Sequence, residues 1–88
     1  MDSTASERVI VVGKRKITDY LIEIAVLFQE APVVVLKGEG RFISKAVDLY
    51  NAVMSRMGES VELLDVSIGS SSVEGRIRPY ILIKIKRR

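Results

Sequence analysis

The sequence predicts an α+β domain: a two-layer sandwich of β-α-β-α-β-β order, with two helices on one face of a four-stranded mixed sheet. Three observations carry that expectation. Two apolar stripes at helical spacing, within residues 17–28 and 43–57, each follow a β-branched run. Two further strand patterns then follow one another towards the C-terminus with no helical pattern between them. Right-handed crossovers put both helices on the same side of the sheet and leave its other face at least partly open.

Each element has its own signal. Residues 1–7 are polar and acidic and read as a disordered tail, so the single domain is expected over 8–88. Arg8 to Gly13 is a β-branched run closed by glycine, the first strand. Ile17, Tyr20, Leu21, Ile24, Ala25 and Phe28 fall on one helical face, with Thr18 or a near neighbour as the expected cap and Ala31-Pro32 as the stop. Val33 to Lys37 is apolar almost throughout, as in a central parallel strand. Ile43, Ala46, Val47, Tyr50, Val53, Met54 and Met57 form the second helical stripe, ending near Gly58. Glu62 to Ile68 is the third strand, with Leu64, Val66 and Ile68 on one face. Gly69 to Pro79 reads as a Gly/Ser-rich arm or hairpin tip. Tyr80 to Lys86 is the fourth strand, with Ile81, Ile83 and Ile85 inward.

Composition narrows the chemistry. The chain has 88 residues, of which 48% are apolar. A domain of this size buries only about 60–65% of its unfolded surface, so a partner subunit would help. It contains no His and no Cys. The first absence removes the commonest acid–base group near neutral pH, and the second removes thiol chemistry and disulfides. A small disulfide-free domain suits a reducing cell interior. No apolar stretch is long enough to span a membrane, so no membrane partner is expected. Lys and Arg total 14 against 11 acids, a net charge of +3. With so small an excess, placement decides more than amount.

Three basic groups stand out. Lys14-Arg15-Lys16 follows the first strand, Lys37, Arg41 and Lys45 surround the start of the second helix, and Arg76 and Arg78 sit in the late arm. The first two groups leave the carboxyl ends of parallel strands, the usual ligand edge of such sheets. Gly38 and Gly40 turn the chain there, and a helix N-terminus beside fixed positive charge favours an anion, phosphate first. Taken singly, each feature also has a plain structural reading, as a solvated loop, a strand-to-helix turn or an exposed tip. Their conjunction favours a phosphate-binding surface. Ser44 and Ser70-Ser71-Ser72 lack a histidine to activate them, so no catalytic residues and no metal ligands are expected.

The segments Val-Val-Gly-Lys-Arg-Lys (11–16) and Lys-Gly-Glu-Gly-Arg-Phe-Ile-Ser-Lys-Ala-Val-Asp (37–48), with the element order and the late basic arm, resemble the Alba family of archaeal chromatin proteins. The resemblance extends from Arg8 to Lys86. Its fold is shared with the C-terminal domain of a translation initiation factor. It implies a homodimer, or a heterodimer with an Alba paralogue, that binds and compacts double-stranded DNA with little sequence preference, often binds RNA, and uses no cofactor. Its expected place is the cytoplasm, on the chromosome. The family's paired lysines after the first strand correspond to Lys14 and Arg15. The first of them is the family's acetylation site, which makes Lys14 the modification candidate and an acetylase and a deacetylase the implied partners. The basic residues around helix two map to Lys37, Arg41 and Lys45, and the groove-reaching hairpin suggests that role for Arg76 and Arg78.

Three departures mark this chain. Glu39 stands where the family often has a basic residue. The arm from Gly69 to Pro79 looks short. Met57 occupies the place where many members carry a Phe that packs dimer against dimer, which suggests a divergent paralogue. Two alternatives stand beside the DNA reading. One is an RNA-binding role in RNA stabilisation or a ribonucleoprotein. The other is a small phosphate-handling enzyme with Arg41 as anion clamp, in the manner of acylphosphatase.

Overall fold

β-branched residues favour extended backbone, and in this computed structural model, which describes residues 7–88, the first such run forms β1 (Glu7–Val11). There follow α1 (Ile17–Glu30), β2 (Val33–Glu39), a 3-10 turn over Gly40–Phe42, α2 (Ile43–Met57), β3 (Val61–Val73) and β4 (Arg76–Arg87). The sheet order is β1-β2-β4-β3. β1 and β2 are parallel, and the other two pairings are antiparallel. The expected two-layer α+β architecture is present. Of the expected tail, residues 1–6 lie outside the described residues. Glu7 instead begins β1, pairing with Val33 and reaching Lys84 at 3.2 Å.

The core lies between the helices and one sheet face. Ile10 and Val12 from the first strand region, Val34 and Leu36 from β2, and Ile81, Ile83 and Ile85 from β4 meet Tyr20, Leu21, Ile24 and Phe28 of α1 and Ala46, Leu49 and Val53 of α2. Three stripe assignments shift. Ala25 is exposed rather than inward, and Leu49, not expected in the stripe, is fully buried. Val47 turns outward, while Tyr50, Met54 and Met57 are half-buried along the edge of the core. α1 has no side-chain cap, since Lys16 rather than Thr18 holds the N-cap position, and Asp19 supplies the favourable negative charge in the first turn.

The expected arm or hairpin tip over residues 69–79 is a regularly paired hairpin. β3 and β4 stay paired from Gly69↔Tyr80 out to Val73↔Arg76. Glu74 and Gly75 alone make the turn, both with positive φ (53° and 76°), the pattern of the tight hairpin turns that match strand twist. The pairing of β2 with β4 stops at Glu39↔Tyr80, so Ser70–Val73 and Arg76–Pro79 project as a two-stranded ribbon. At roughly 3.3 Å per residue this gives a reach of about 13 Å. The arm is therefore a paired ribbon. A bulge between Leu63 and Asp65 adds Leu64 to β3. Leu63 faces Ile85 and Val66 faces Ile83 across it, so both lie on the helix side of the sheet.

β2 also runs further than expected, through Gly38 to Glu39. Gly38 is buried beneath the start of α2. A Cβ there would lie 2.5 Å from the Phe42 carbonyl oxygen and 2.8 Å from the Ala46 Cβ. Its role is close approach of strand and helix. Gly40 has open space around it and instead supplies a positive φ of 55° where the strand breaks into the 3-10 turn. We predict that Gly38→Ala costs roughly 1–3 kcal/mol through overpacking. It should appear as a lower denaturation midpoint at unchanged m-value, and should exceed the cost of Gly40→Ala.

Candidate nucleic-acid interface

Because β1 and β2 run parallel, the segments that follow them emerge at one edge. The Val12 N–H donates to the Lys37 carbonyl at 2.8 Å, which carries the pairing past the last residue of β1. Val12 is buried, and the chain then opens into the exposed run Lys14-Arg15-Lys16.

This loop is held from both sides. The Gly13 N–H donates to the Tyr20 hydroxyl at 2.7 Å. Lys45, in the first turn of α2, donates from Nζ to the Gly13 carbonyl at 2.7 Å and to the Arg15 carbonyl. Tyr20 is buried in ring and body, and the Arg15 guanidinium lies 4.9 Å from its ring centroid. The same guanidinium pairs with the Glu23 carboxylate at 2.7 Å. That hydrogen bond, and then the charges of Glu23 and Asp19, raise the Arg15 pKa further above its ordinary value. Lys14 and Lys16 are exposed and have no ion-pair partner among the described residues.

On the neighbouring loop, Arg41 lies in the 3-10 turn, one turn before α2 proper. It is exposed, stacks over the Phe42 ring at 4.9 Å, and has no ion-pair partner among the described residues. An open cleft runs between this turn and the root of the ribbon. Gly13, Glu39, Gly40, Arg41 and Arg78 line it, over an apolar floor that includes Val11, Phe42 and Pro79. Arg78 pairs in register with Ser71, and Arg76, two positions nearer the tip, pairs with Val73. Both arginines are exposed.

The structure thus sorts the residues singled out in the sequence. Gly40, Arg41 and Arg78 share the cleft, and Lys14, Arg15 and Lys16 continue the same edge beyond Gly13. Arg76 stands out on the ribbon. Lys37 is elsewhere: its register places it on the sheet face away from the helices, 5.7 Å from the Tyr80 ring and beside Lys84 and Asp65 in a separate groove. Gly38 is buried and offers no surface. Lys45 spends two donors within the protein. Glu39 is half-buried at the cleft wall, with the Ser71 hydroxyl at 3.5 Å and no cation within ion-pair distance among the described residues. Sequence reasoning missed two participants. They are Tyr20, which falls in the apolar stripe of α1 and looked like core alone, and Glu23. The signal for Tyr20 was its place one turn into a helix that follows a basic loop, where a buried ring can turn its hydroxyl back to the loop.

Residues 8–72 match the family model described as Alba. The chain belongs to the Alba family. It is 45% identical over 80 residues to the DNA/RNA-binding protein Alba 2 of Saccharolobus solfataricus, covering 89% of this chain and 90% of that protein. The DNA/RNA-binding protein Alba 2 of Saccharolobus shibatae is 44% identical over the same shares of the two chains. The structure of Alba from Thermoplasma volcanium superimposes with a TM-score of 0.82 at 22% identity, covering 91% of this chain and all of that one. That likeness concerns the fold, and it includes the two-helix, four-stranded Alba sandwich described above. No helix among the described residues of this Alba chain is long and apolar enough to cross a membrane.

Proposed function

We propose that this chain is an architectural nucleic-acid-binding protein that works as a dimer, grips the phosphates of double-stranded DNA, also accepts RNA, and performs no catalysis. One observation carries the reading. Lys14, Lys16, Arg41 and Arg78 lie along one edge of the sheet, all exposed and all without a carboxylate partner among the described residues. The names of its relatives, DNA/RNA-binding proteins, support it.

The mechanism follows from the chemistry of the edge. Lys14, Lys16 and Arg41 neutralise phosphates and release counterions. Arg15 exchanges Glu23 for a phosphate oxygen as a duplex approaches. The ribbon carries Arg76 and Arg78 away from the sheet towards a groove. Contacts of this kind fix register but carry little sequence information, so unrelated duplexes bind alike and RNA is admitted by the same edge. Acetylation of Lys14 by an acetylase would remove one of the free cations, and a deacetylase would restore it. Such a protein belongs on the chromosome, in the cytoplasm. Glu39 repels phosphate from the middle of the cleft and sets the affinity below that of a purely basic clamp.

The dimer reading rests on what the helices fail to cover. α2 lies over β2 and β4, and beyond the buried Val61 the helix side of β3 is left bare. Leu63, Val66 and Ile68 are exposed there, Ile68 by 79%, and Ile77 of the ribbon is 75% exposed. Val47, Tyr50 and Met54 of α2 complete an apolar surface larger than isolated exposed residues would give. A second copy of the chain, or an Alba paralogue, covers it. Met57, half-buried at the end of α2 beside Gly58–Ser60, is the candidate contact between neighbouring dimers.

Three outcomes are expected. The double variant Lys14→Glu, Arg15→Glu should weaken binding to unrelated duplexes alike, by about a hundredfold or roughly 2.7 kcal/mol, in a gel-shift series. Retention equal to the parent would remove this edge from the site. Glu39→Gln should tighten duplex binding about threefold at low salt, with the gain fading as salt screens it. Ile68→Asp should convert the dimer to a monomer in light scattering while leaving the far-ultraviolet circular dichroism unchanged.

A further inference from the structure

Lys45 sits where a phosphate ligand is expected, in the first turn of α2 and beside the basic loop. Its environment assigns it another task. A lysine ammonium has three donors and no acceptor. Two of those donors reach the carbonyl oxygens of Gly13 and Arg15, across sequence separations of 32 and 30 residues. The ammonium also lies 5.7 Å from the Tyr20 ring, on which Arg15 stacks at 4.9 Å. Lys45 is half-buried, while Lys14, Arg15 and Lys16 around it are exposed.

The loop it holds has few other ties. From Gly13 to Lys16 the only other backbone bonds among the described residues are the Gly13 N–H to the Tyr20 hydroxyl and the turn bonds from Asp19 and Tyr20 to the Lys16 carbonyl. The carbonyls of Gly13 and Arg15 point to the same ammonium, so the chain between them is pinned at both ends and the Lys14 side chain is thrown outward. Arg41 lies four positions before Lys45, in the turn that leads into the same helix. One ammonium therefore fixes the distance between the two cation groups.

We propose that Lys45 is a positioning residue, a clasp that presets the spacing of Lys14 and Lys16 against Arg41, and that it does not itself bind phosphate. This rests on the nucleic-acid reading above, but half of its test does not. Three full-length proteins are compared: the parent, Arg41→Ala, and Lys45→Met, which keeps an apolar stem of similar length without donors. Duplex DNA binding is measured across a salt series, and amide hydrogen exchange is measured on the free proteins.

Removing a phosphate ligand should reduce the slope of log K against log salt by about 0.9. Arg41→Ala is expected to show that drop and to leave exchange at residues 13–16 as in the parent. Lys45→Met is expected to lose about three- to tenfold in affinity with no change of slope, and to speed exchange at residues 13–16 at least tenfold. A slope reduced by about one unit in Lys45→Met, or unchanged exchange in that loop, would overturn the clasp. Should Lys45→Met not fold, the Lys45 Nζ resonance of the parent decides. It should stay in place on adding duplex while that of Lys14 moves, and a comparable movement of both would refute the proposal. Failure of the parent to bind any duplex would instead refute the functional reading and leave the exchange result standing.

Discussion

Two strands that run side by side in one direction must end at the same edge, and whatever follows them is brought together. In this chain that constraint is the parallel pairing of β1 with β2, from Glu7↔Val33 to Val11↔Lys37, prolonged by the Val12 bond to the Lys37 carbonyl. The basic loop after the first strand and the Arg41 turn after the second are neighbours because of it. The pairing is stable because the strands carry a buried row beneath them: Ile10, Val34 and Leu36 pack under both helices. α2 can approach β2 closely only because Gly38 has no side chain. A missing methyl in the strand thus sets the height at which Lys45 meets the loop, and a position with no surface of its own still shapes the site.

The small net charge conceals how unevenly charge is used. Glu7 pairs with Lys84, Glu30 with Arg8 and Glu23 with Arg15, all at exposed or half-exposed positions. Such pairs add little stability in water. Their larger effect is on the field. They quench Arg8 on the flank and Lys84 on the sheet face, while Lys14, Lys16 and Arg41 stay unquenched at the edge where the parallel strands end. Within that edge only Arg15 is partnered, and its partner is an exposed carboxylate that a phosphate can displace. Glu39 has the opposite position, an unpaired acid inside the basic cleft, so the surface combines attraction along its length with one point of repulsion.

Most of the fold was legible because periodicity survives context. The stripes of α1 and α2 and the alternation of Ile81, Ile83 and Ile85 each report a face that must be buried, whatever lies opposite. The hairpin was legible, but not how far its strands stay paired. Ser70, Ser71 and Ser72 have weak strand preference, and they are extended because Ile77, Arg78 and Pro79 pair with them and a left-handed Glu74-Gly75 turn joins the two strands. The two glycines of the Gly-x-Gly motif looked alike and differ in reason, one admitting a neighbouring helix and the other a positive φ. Arg41 and Lys45 likewise share charge and neighbourhood in sequence. What separates them is a pair of carbonyls about thirty positions away, and no local pattern encodes that.

The ribbon, finally, has no helix behind it. Past the Glu39↔Tyr80 pair its two strands pair in register only with each other, with the Ser71 hydroxyl on Glu39 tying the root, and isolated two-stranded ribbons are marginally stable. Mechanically it is a leaf spring mounted on a stiff block. The block sets where the spring starts, and the free length bends and twists at small energetic expense. A duplex of B form and one of A form present grooves of different width and depth. A stiff prong would have to be cut for one of them, whereas a compliant one conforms to either. On the reading proposed above, tolerance for two kinds of double helix would lie in the elasticity of the arm, and the rigid edge would set where on the helix the protein sits.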